Sequence, residues 1–407
     1  MASSKANKII AITGYVGLIN GLRRYLLPVA LIRYGWSLQD YGTIYVIQTF
    51  AMAIPLLLGG YSTDLKGRRS TIVFSFFMFS VGVSIFSFVI SGTSLLYLII
   101  AQVITTVSSG ITRMALSIQM ADETEEEERT SSLGWQAAVR NFASFVGPLI
   151  FGFLFQNYHL AIFSFTDFEV GFAILAAMGV VGLFASFFLP ETDSLMIEEN
   201  REIHLSDITD DERSMQYAFG IQEIIIGFTS GLIVPYINFY ILTEFNPSDW
   251  QWGLLTALGS MSVATGTIIA SQGADGFGKG RTVVVFNLAV PILAGGIAFA
   301  PTLGWVSVFY IARITTANLV HPIWQSWYYS HIMENLRGRT MSIQRMSRRL
   351  ARGLGTAGGP LAYTLLGAFV FPLGALFYPV AMLIPYLNEK RLESGKKQVV
   401  SITQQIN

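Results

Sequence analysis

Long apolar runs constrain the fold of this chain more than any other feature of its sequence. Twelve lie near 9–32, 41–61, 70–91, 95–119, 131–156, 170–189, 216–243, 252–272, 282–300, 303–328, 346–366 and 369–387. A bilayer core about 30 Å thick needs roughly 20 apolar residues in a helix, and lipid admits only helices or closed barrels. Because the runs lack alternation with period two, we exclude a porin-type barrel. The sequence therefore predicts an all-α integral membrane protein with twelve transmembrane helices.

The composition agrees with a membrane location and excludes several kinds of site. Charged residues make up 13% of the chain, against about a quarter in soluble domains. Lys plus Arg and Asp plus Glu balance at 26 each, which gives no indication of a nucleic-acid partner. The sequence has no cysteine and four scattered histidines, so we expect no metal, no cofactor and no enzymatic activity. We expect the lipid bilayer, a small-molecule substrate and protons as partners, and a monomer.

The positive charges in the connectors predict the orientation. With the N-terminus inside, most basic connector residues fall on that side, and the opposite connectors have only Arg33. The positive-inside rule then places both termini in the cytoplasm. We expect the first run to be a retained span rather than a signal peptide, because it is longer than a typical apolar signal region. The expected location is the plasma membrane.

An internal repeat divides the chain. A shift of 211 residues overlays the halves, and a further slip of one residue aligns their fifth spans. The aligned pairs are Asp64 with Asp275, Gly67 with Gly278, Arg68 with Lys279 and, after the slip, Gly147 with Gly359 and Arg140 with Arg352. We predict six-helix bundles over 1–192 and 214–407, joined by a cytoplasmic linker over 193–213. Paired bundles with a binding site between them are typical of secondary transporters.

The connector after the second span carries a recognisable motif. GxxxDxxGRR is matched by Gly60, Asp64, Gly67, Arg68 and Arg69. The second half repeats it with Asp275, Gly278 and Lys279, but Ser271 replaces the first glycine. With this motif the whole chain resembles the major facilitator superfamily. The resemblance implies that the connector holds the two halves together on the cytoplasmic side and takes part in gating.

A second motif bears on the kind of transport. Gly147, Pro148 and Gly152 match a GPxxxG pattern that is typical of proton-driven drug exporters in this superfamily, and Gly359 and Pro360 lie at the repeat position. The chain departs from the fuller exporter pattern at Ala143 and at Gln102, where exporters have glycine and arginine. We favour proton-linked export of small amphipathic compounds. The alternative is proton-coupled symport of an organic anion or a sugar-like solute, because several arginines suit anions.

Polar side chains inside the spans are the candidates for substrate binding. An arginine exposed to lipid near the bilayer centre costs roughly 2.5–3.5 kcal/mol on insertion scales, so these residues should face a wet cavity or partners. The resemblance implies that spans one, four, seven and ten line the cavity. The candidates on these spans are Asn20, Arg23, Arg24, Arg113, Tyr236, Asn238, Arg313 and His321. Structural ion pairs are the competing explanation for the arginines, and packing beside Pro322 is the competing explanation for His321.

Three further groups of residues are candidates for proton coupling, for gating and for contact with the membrane interface. Glu223 is the carboxylate placed clearly within a span, and we expect it to carry the coupling proton unless it is a structural partner of an arginine. Arg348 and Arg352 either reach the cytoplasmic interface or form a charged gate with Asp64 or the acidic run at 122–128. We expect Trp324, Trp327, Tyr328 and Tyr329 to form an interfacial aromatic belt.

Overall fold

The computed structural model describes residues 4–55, 67–92, 94–124, 126–158, 166–191, 209–273, 278–332 and 337–406. These residues form α-helices joined by short turns, and the described part contains no strand. The first six helices are α1 (Ser4–Arg33), α2 (Leu38–Ala51), α3 (Arg68–Val89), α4 (Leu95–Asp122), α5 (Glu126–Asn157) and α6 (Asp167–Ser186). The others are α7 (Asp210–Glu244), α8 (Asp249–Gly273), α9 (Lys279–Ala298), α10 (Leu303–Tyr329), α11 (Arg337–Leu366), α12 (Val370–Ala375) and α13 (Phe377–Ile406). The all-α prediction is confirmed.

Within the described residues, eight helical segments are long and apolar enough to cross a membrane. They lie in α3 to α7, α9, α10 and the joined segment Thr340–Ser394. Helix α1 is 30 residues long, but Asn20, Arg23 and Arg24 lower its mean hydropathy. The described part of α2 has 14 residues. The predicted total of twelve spans is therefore confirmed in part.

Local sequence explains where several helices begin. At the start of α2 the Asp40 amide donates to Ser37 Oγ at 3.1 Å, and the Ser37 amide donates back to Asp40 Oδ2 at 3.2 Å. This capping box satisfies two of the free amides of a helix N-terminus. Helices α3 and α9 instead follow Gly67 and Gly278, each with φ of 79°. Glycine adopts this left-handed conformation without a Cβ clash, so the repeated glycines perform the same turn in both halves.

By their internal contacts, the residues group into two compact units. Unit 1 comprises Met1–Glu198 and Pro235–Ala264, and unit 2 comprises Glu199–Val234 and Thr265–Asn407. This grouping assigns the second part of α7 and most of α8 to the unit that contains α1 to α6. The division that the sequence repeat gives, at the linker over 193–213, stays a prediction, and most of that linker lies outside the described residues.

Close approach of glycines to a neighbouring backbone is the main packing device of unit 1. A Cβ atom at Gly17 or Gly21 of α1 would overlap the carbonyl oxygens of Arg140 and Ser144 in α5. From the other side, Gly147 of α5 lies against the backbone of α1. Small residues permit such approach in membrane proteins, where association depends on van der Waals packing. The pair α1 and α5 is therefore held at short distance by backbone contact.

Unit 2 repeats this device with a different register from that of the sequence overlay. Gly227 and Gly231 of α7 lie against the carbonyl oxygens of Arg348 and Arg352 in α11. By the same contacts the structural counterpart of Arg140 is Arg348, whereas the overlay pairs Arg140 with Arg352. The overlay is wrong by about one helical turn here. Four residues of an α-helix return to nearly the same face, so the two registers fit the sequence pattern equally well.

The same shift applies to the glycine of the fifth spans. Gly355 lies against the backbone of Phe228 and Leu232, as Gly147 does against that of Leu18 and Leu22. Gly147 is thus equivalent to Gly355 rather than to Gly359. Contact geometry, rather than the GP dipeptide, identifies the repeat position.

Gly355→Ala tests the close contact between α7 and α11. Its methyl group would overlap the Phe228 carbonyl oxygen, whereas one at Gly358 would find its nearest neighbour, Leu232 Cδ1, at 3.9 Å. We expect Gly355→Ala to lower the free energy of unfolding by about 1–3 kcal/mol, because overpacking displaces the helices. The control, Gly358→Ala, should change it by less than about 0.5 kcal/mol. Equal melting temperatures of the two variants in detergent would contradict this packing.

An ionisable pair connects the end of α10 to α13 in unit 2. His331 Nε2 lies 3.2 Å from Glu389 Oε1, and His331 Nδ1 lies 2.9 Å from the Trp327 carbonyl oxygen. Burial lowers the pKa of His331, but its bonds to Glu389 and Trp327 and the charges of Glu389 and Glu393 raise it, and the net shift is upward. The imidazolium, with two N–H donors, suits both partners.

The raised pKa predicts how stability depends on pH. The pair stabilises the fold fully below the ordinary histidine pKa of about 6.5, and this contribution is lost as pH rises through the raised folded value. We expect the wild type to lose up to about 1 kcal/mol between about pH 6 and pH 8 relative to His331→Gln. Melting temperatures of both proteins across this range measure the effect. Parallel pH profiles would show that His331 does not titrate against Glu389.

Candidate functional site

Unit 1 places a buried arginine of α1 against α4. Arg23 is buried, and its Nη2 donates to Thr106 Oγ1 at 3.0 Å and to Gln102 Oε1 at 3.5 Å. Arg113 lies within electrostatic range of Arg23, and its Nε donates to the Ser109 carbonyl at 3.3 Å. Gln102 stands where the exporter pattern has arginine, so at this point of unit 1 the guanidinium comes from α1 and the neutral acceptor from α4.

The other α1 candidates have different partners. Arg24 Nη1 donates to Ser260 Oγ of α8 at 3.3 Å. Asn20 donates from its amide to the Val16 carbonyl of the preceding turn at 2.9 Å. Arg23 and Arg24 are adjacent in sequence but contact different helices, because adjacent residues of a helix point about 100° apart.

Two candidates lie in the part of α7 that belongs to unit 1. Tyr236 is fully buried, and its ring centroid lies 6.5 Å from that of Tyr41. The Tyr41 hydroxyl donates to the Pro235 carbonyl oxygen at 3.1 Å. Asn238 is half-buried. Tyr236 is therefore part of an aromatic contact between α2 and α7.

Unit 2 brings Glu223 and Arg348 together. Arg348 Nη1 lies 3.4 Å from Glu223 Oε2 and 3.5 Å from Glu223 Oε1. Gln222 Nε2 donates to Glu223 Oε1 at 3.1 Å, and Gln222 Oε1 accepts from Trp324 Nε1 at 2.8 Å. This network joins α7, α10 and α11 and supplies the carboxylate with both a cation and a neutral donor.

The sequence did not identify Gln222 or the role of Trp324. The belt interpretation is wrong for Trp324, Trp327 and Tyr328, which are buried. Phe219 packs edge-on against all three rings, with centroids 5.0 to 6.2 Å apart. Aromatic residues near a predicted span end do not by themselves distinguish a lipid interface from a packed helix contact. The sequence contains no local signal for the contact between Gln222 and Trp324, which are 102 residues apart.

Two further arginines of unit 2 lie within electrostatic range of one another. Arg313 of α10 is 3% exposed, and its Nε has no hydrogen-bond partner among the described residues. Arg313, Arg348 and Arg349 repel the half-buried Arg352 guanidinium electrostatically. His321 is exposed, and its ring centroid lies 6.0 Å from that of Trp324. Arg313 and Arg352 thus share a strongly positive region.

The first GxxxDxxGRR motif is described from Gly67 onward. Arg68 is buried, and its Nε donates to Asp122 Oδ2 of α4 at 3.0 Å. Arg69 lies 3.8 Å from Glu191 and places its guanidinium 5.9 Å from the Phe187 ring centroid. Arg68 therefore ties the start of α3 to the end of α4. Three residues of the connector motifs, Gly60, Asp64 and Asp275, lie outside the described residues. Asp64 is the predicted gate partner of Arg348 and Arg352.

The GPxxxG motif lies at a helix contact inside unit 1. A Cβ atom at Gly152 would meet the Asp249 carbonyl oxygen at 2.8 Å and Gly253 Cα at 2.9 Å. Pro148 lies within α5 and Pro360 within α11. Gly253 in turn lies against the backbone of α5 at Pro148 and Gly152. The motif allows α5 to approach the start of α8 closely.

Comparison with known proteins identifies the family. The family model described as Major Facilitator Superfamily matches residues 13–356, which is more than half of the chain. The chain belongs to this superfamily. It is 26% identical over 169 residues to the quinolone resistance protein NorA of Staphylococcus aureus, a match that covers 42% of this chain and 40% of NorA. The chain thus matches two fifths of the length of this relative.

Solved structures support the same fold. The nucleoside transporter NupG has a TM-score of 0.76 at 9% identity, covering 95% of this chain and 99% of NupG. A bacterial homologue of the human lysosomal transporter Spinster has a TM-score of 0.74 at 10% identity, covering 95% and 96%. The D-xylose–proton symporter has a TM-score of 0.73 at 13% identity, covering 93% and 97%. These likenesses show the fold, and the family match together with the long apolar helices shows a multi-pass membrane protein of this superfamily.

A double-mutant cycle measures the pair between Glu223 and Arg348. The Glu223 side chain is 3% exposed, but that of Arg348 is 36% exposed, so water partly screens the attraction. We expect a coupling free energy of about 1–2 kcal/mol between Glu223→Gln and Arg348→Gln, between the values of surface pairs and fully buried pairs. Unfolding of the four proteins in detergent supplies the cycle. Additive single effects would contradict a direct pair.

Proposed function

We propose that this protein is a secondary active transporter that exports small amphipathic organic compounds in exchange for protons. The observation that carries the proposal is the buried carboxylate of Glu223, held by Gln222 and paired with Arg348. An ionisable group at membrane depth is costly and typically marks an ion or substrate pathway. Glu223 is well placed for the coupling proton, since its state of charge decides whether Arg348 is paired.

The coupling that we propose follows from this pair. When Glu223 is ionised, Arg348 neutralises it and α7 is tied to α11. When Glu223 takes a proton, the attraction is lost and Arg348 becomes available to other acceptors. Because Arg348 and Arg352 flank the close contact of α11 with Gly227 and Gly231, protonation changes the charge at this helix contact. A change in the packing of two helices can serve as the moving part of alternating access.

Support for export of amphipathic compounds comes from the GPxxxG motif and from the similarity to NorA. A second candidate, symport of an organic anion or sugar-like solute, is favoured by the excess of arginine in unit 2 and by the likeness to the D-xylose–proton symporter. Loaded-vesicle experiments distinguish the two candidates by the sign of the coupling. A proton-linked exporter moves solute in the direction opposite to the proton flow. A symporter moves solute in the same direction as the protons.

We propose substrate contacts for the polar candidates of α1, α4, α7 and α10. These are Asn20, Arg23, Arg24, Arg113, Tyr236, Asn238, Arg313 and His321. The connector motifs and Gly147, Pro148, Gly359 and Pro360 are assigned to gating. We further propose a plasma-membrane location, cytoplasmic termini, a linker over 193–213 between two repeats, and a monomeric transporter.

Glu223→Gln tests proton coupling. Gln222 and Arg348 can still bond to a neutral amide, so folding should be retained, but the proton site is removed. In proteoliposomes with an imposed pH gradient, we expect at least a tenfold loss of gradient-driven flux of a fluorescent quinolone or a fluorescent lipophilic cation. Exchange of solute at equal pH on both sides should persist. This pattern separates coupling from binding.

Glu244→Gln is the matched control, because Glu244 is an exposed carboxylate at the end of the same helix. It should retain gradient-driven flux. Undiminished gradient-driven flux in Glu223→Gln would refute the coupling role of this residue. Absence of saturable exchange for both compounds in the wild type would refute the proposed transport function itself.

A further inference from the structure

The interior of unit 2 contains more positive than negative charge. Helices α10 and α11 have no Asp or Glu in their sequences, whereas they carry Arg313, Arg348, Arg349 and Arg352. The buried carboxylate of α7 is Glu223, and Arg348 and Gln222 already bond to it. The described part of α7 thus has one buried carboxylate, Glu223, whereas Arg313 is buried and Arg348, Arg349 and Arg352 are half-buried.

Arg313 is the most informative member of this group. It is 3% exposed, and its Nε has no acceptor among the described residues. No carboxylate of the described chain lies within ion-pair distance of Arg313. A buried charged donor that lacks an acceptor is strongly unfavourable. A residue with only a structural role would normally have its acceptor built into the fold.

Arg352 supplies a second guanidinium to the same place. It is half-buried, and Arg313 is one of the charges that repel it. The described part of the chain again has no carboxylate within ion-pair distance of Arg352. Tyr378 of α13 is buried and lies within electrostatic range of Arg352. Two unneutralised guanidinium groups within range of each other repel, and an anion near both would relieve that repulsion.

We infer that Arg313 and Arg352 form a subsite for the carboxylate of an organic solute. This inference rests on the proposed function, since it names the chemical class of the transported compound. A guanidinium presents parallel N–H donors that match the two oxygens of a carboxylate. The subsite leaves Glu223 and Arg348 to the coupling proton, so Arg313 of α10 and Arg352 of α11 recognise the solute.

Binding of matched probes to the purified full-length chain tests the subsite. Naphthalene-1-acetate and naphthalene-1-acetamide share an apolar body and differ in the charge of one group. By isothermal titration calorimetry in detergent, we expect the wild type to bind the acetate at least tenfold more tightly than the amide. Arg313→Gln and Arg352→Gln should each reduce this preference to threefold or less.

Two control variants and one competing anion make the result specific. Arg391→Gln removes an exposed guanidinium just beyond the apolar part of α13 and should keep the preference. Arg313→Lys retains the charge without the planar fork and should keep part of it. Inorganic phosphate should compete only weakly with the acetate. If phosphate instead competes as strongly as an equal concentration of organic carboxylate would, the ligand of the subsite is an inorganic anion and not an organic solute.

A ligand-free measurement guards against loss of folding. Because the Arg313 Nε has no acceptor in the described chain, Arg313→Gln without ligand should melt at the same temperature as the wild type or higher. A lower melting temperature would indicate a structural role and overturn the inference. Equal affinity of the wild type for acetate and amide, or failure to bind either, would also overturn it.

The outcome is separable from that of the proposed function. If the wild type exchanges a lipophilic cation but shows no preference for naphthalene-1-acetate, transport stands and the carboxylate subsite falls. If naphthalene-1-acetate binds with the expected dependence on Arg313 but Glu223→Gln retains gradient-driven flux, the subsite stands and the coupling role falls.

Discussion

Lipid offers no partner to a buried charge, and this constraint governs how the polar residues of the protein are placed. Arg23 donates to the neutral acceptors Gln102 and Thr106. Arg68 bonds to Asp122, and Arg348 bonds to Glu223. In each case a cation of one helix reaches an acceptor on another, so the charged groups also fix which helices are neighbours. Arg313 stands out because the described structure leaves its Nε without an acceptor.

The two repeats use one backbone scaffold for different chemistry. Gly17 and Gly21 lie against Arg140 and Ser144 in unit 1, as Gly227 and Gly231 lie against Arg348 and Arg352 in unit 2. By this register Thr13 is the counterpart of Glu223, and there it accepts a hydrogen bond from Gln136 Nε2 at 3.0 Å. The carboxylate is therefore specific to unit 2. Glycine packing supplies the scaffold in both units, and unit 2 adds a buried carboxylate to it.

Much of the fold could be predicted from the sequence, because long apolar runs and positive-φ glycines are local signals. Gly67 and Gly278 have the repeated conformation that the overlay implies. The register of α11 could not be predicted, since a shift of four residues preserves the helix face. The GP dipeptide aligns Gly147 with Gly359, whereas the contacts align it with Gly355. Gln222 and Trp324 were missed as well, because their importance depends on a contact between α7 and α10 that no local pattern encodes.

The proposed coupling requires Glu223 to bind a proton inside unit 2. Infrared difference spectra of the purified protein, recorded as pH is changed, detect the carbonyl stretch of a protonated carboxylic acid directly. We expect a buried-acid band that appears on acidification in the wild type and in Glu244→Gln but is absent from Glu223→Gln. The same band in Glu223→Gln would show that another group binds the proton and would rule out the role proposed for Glu223.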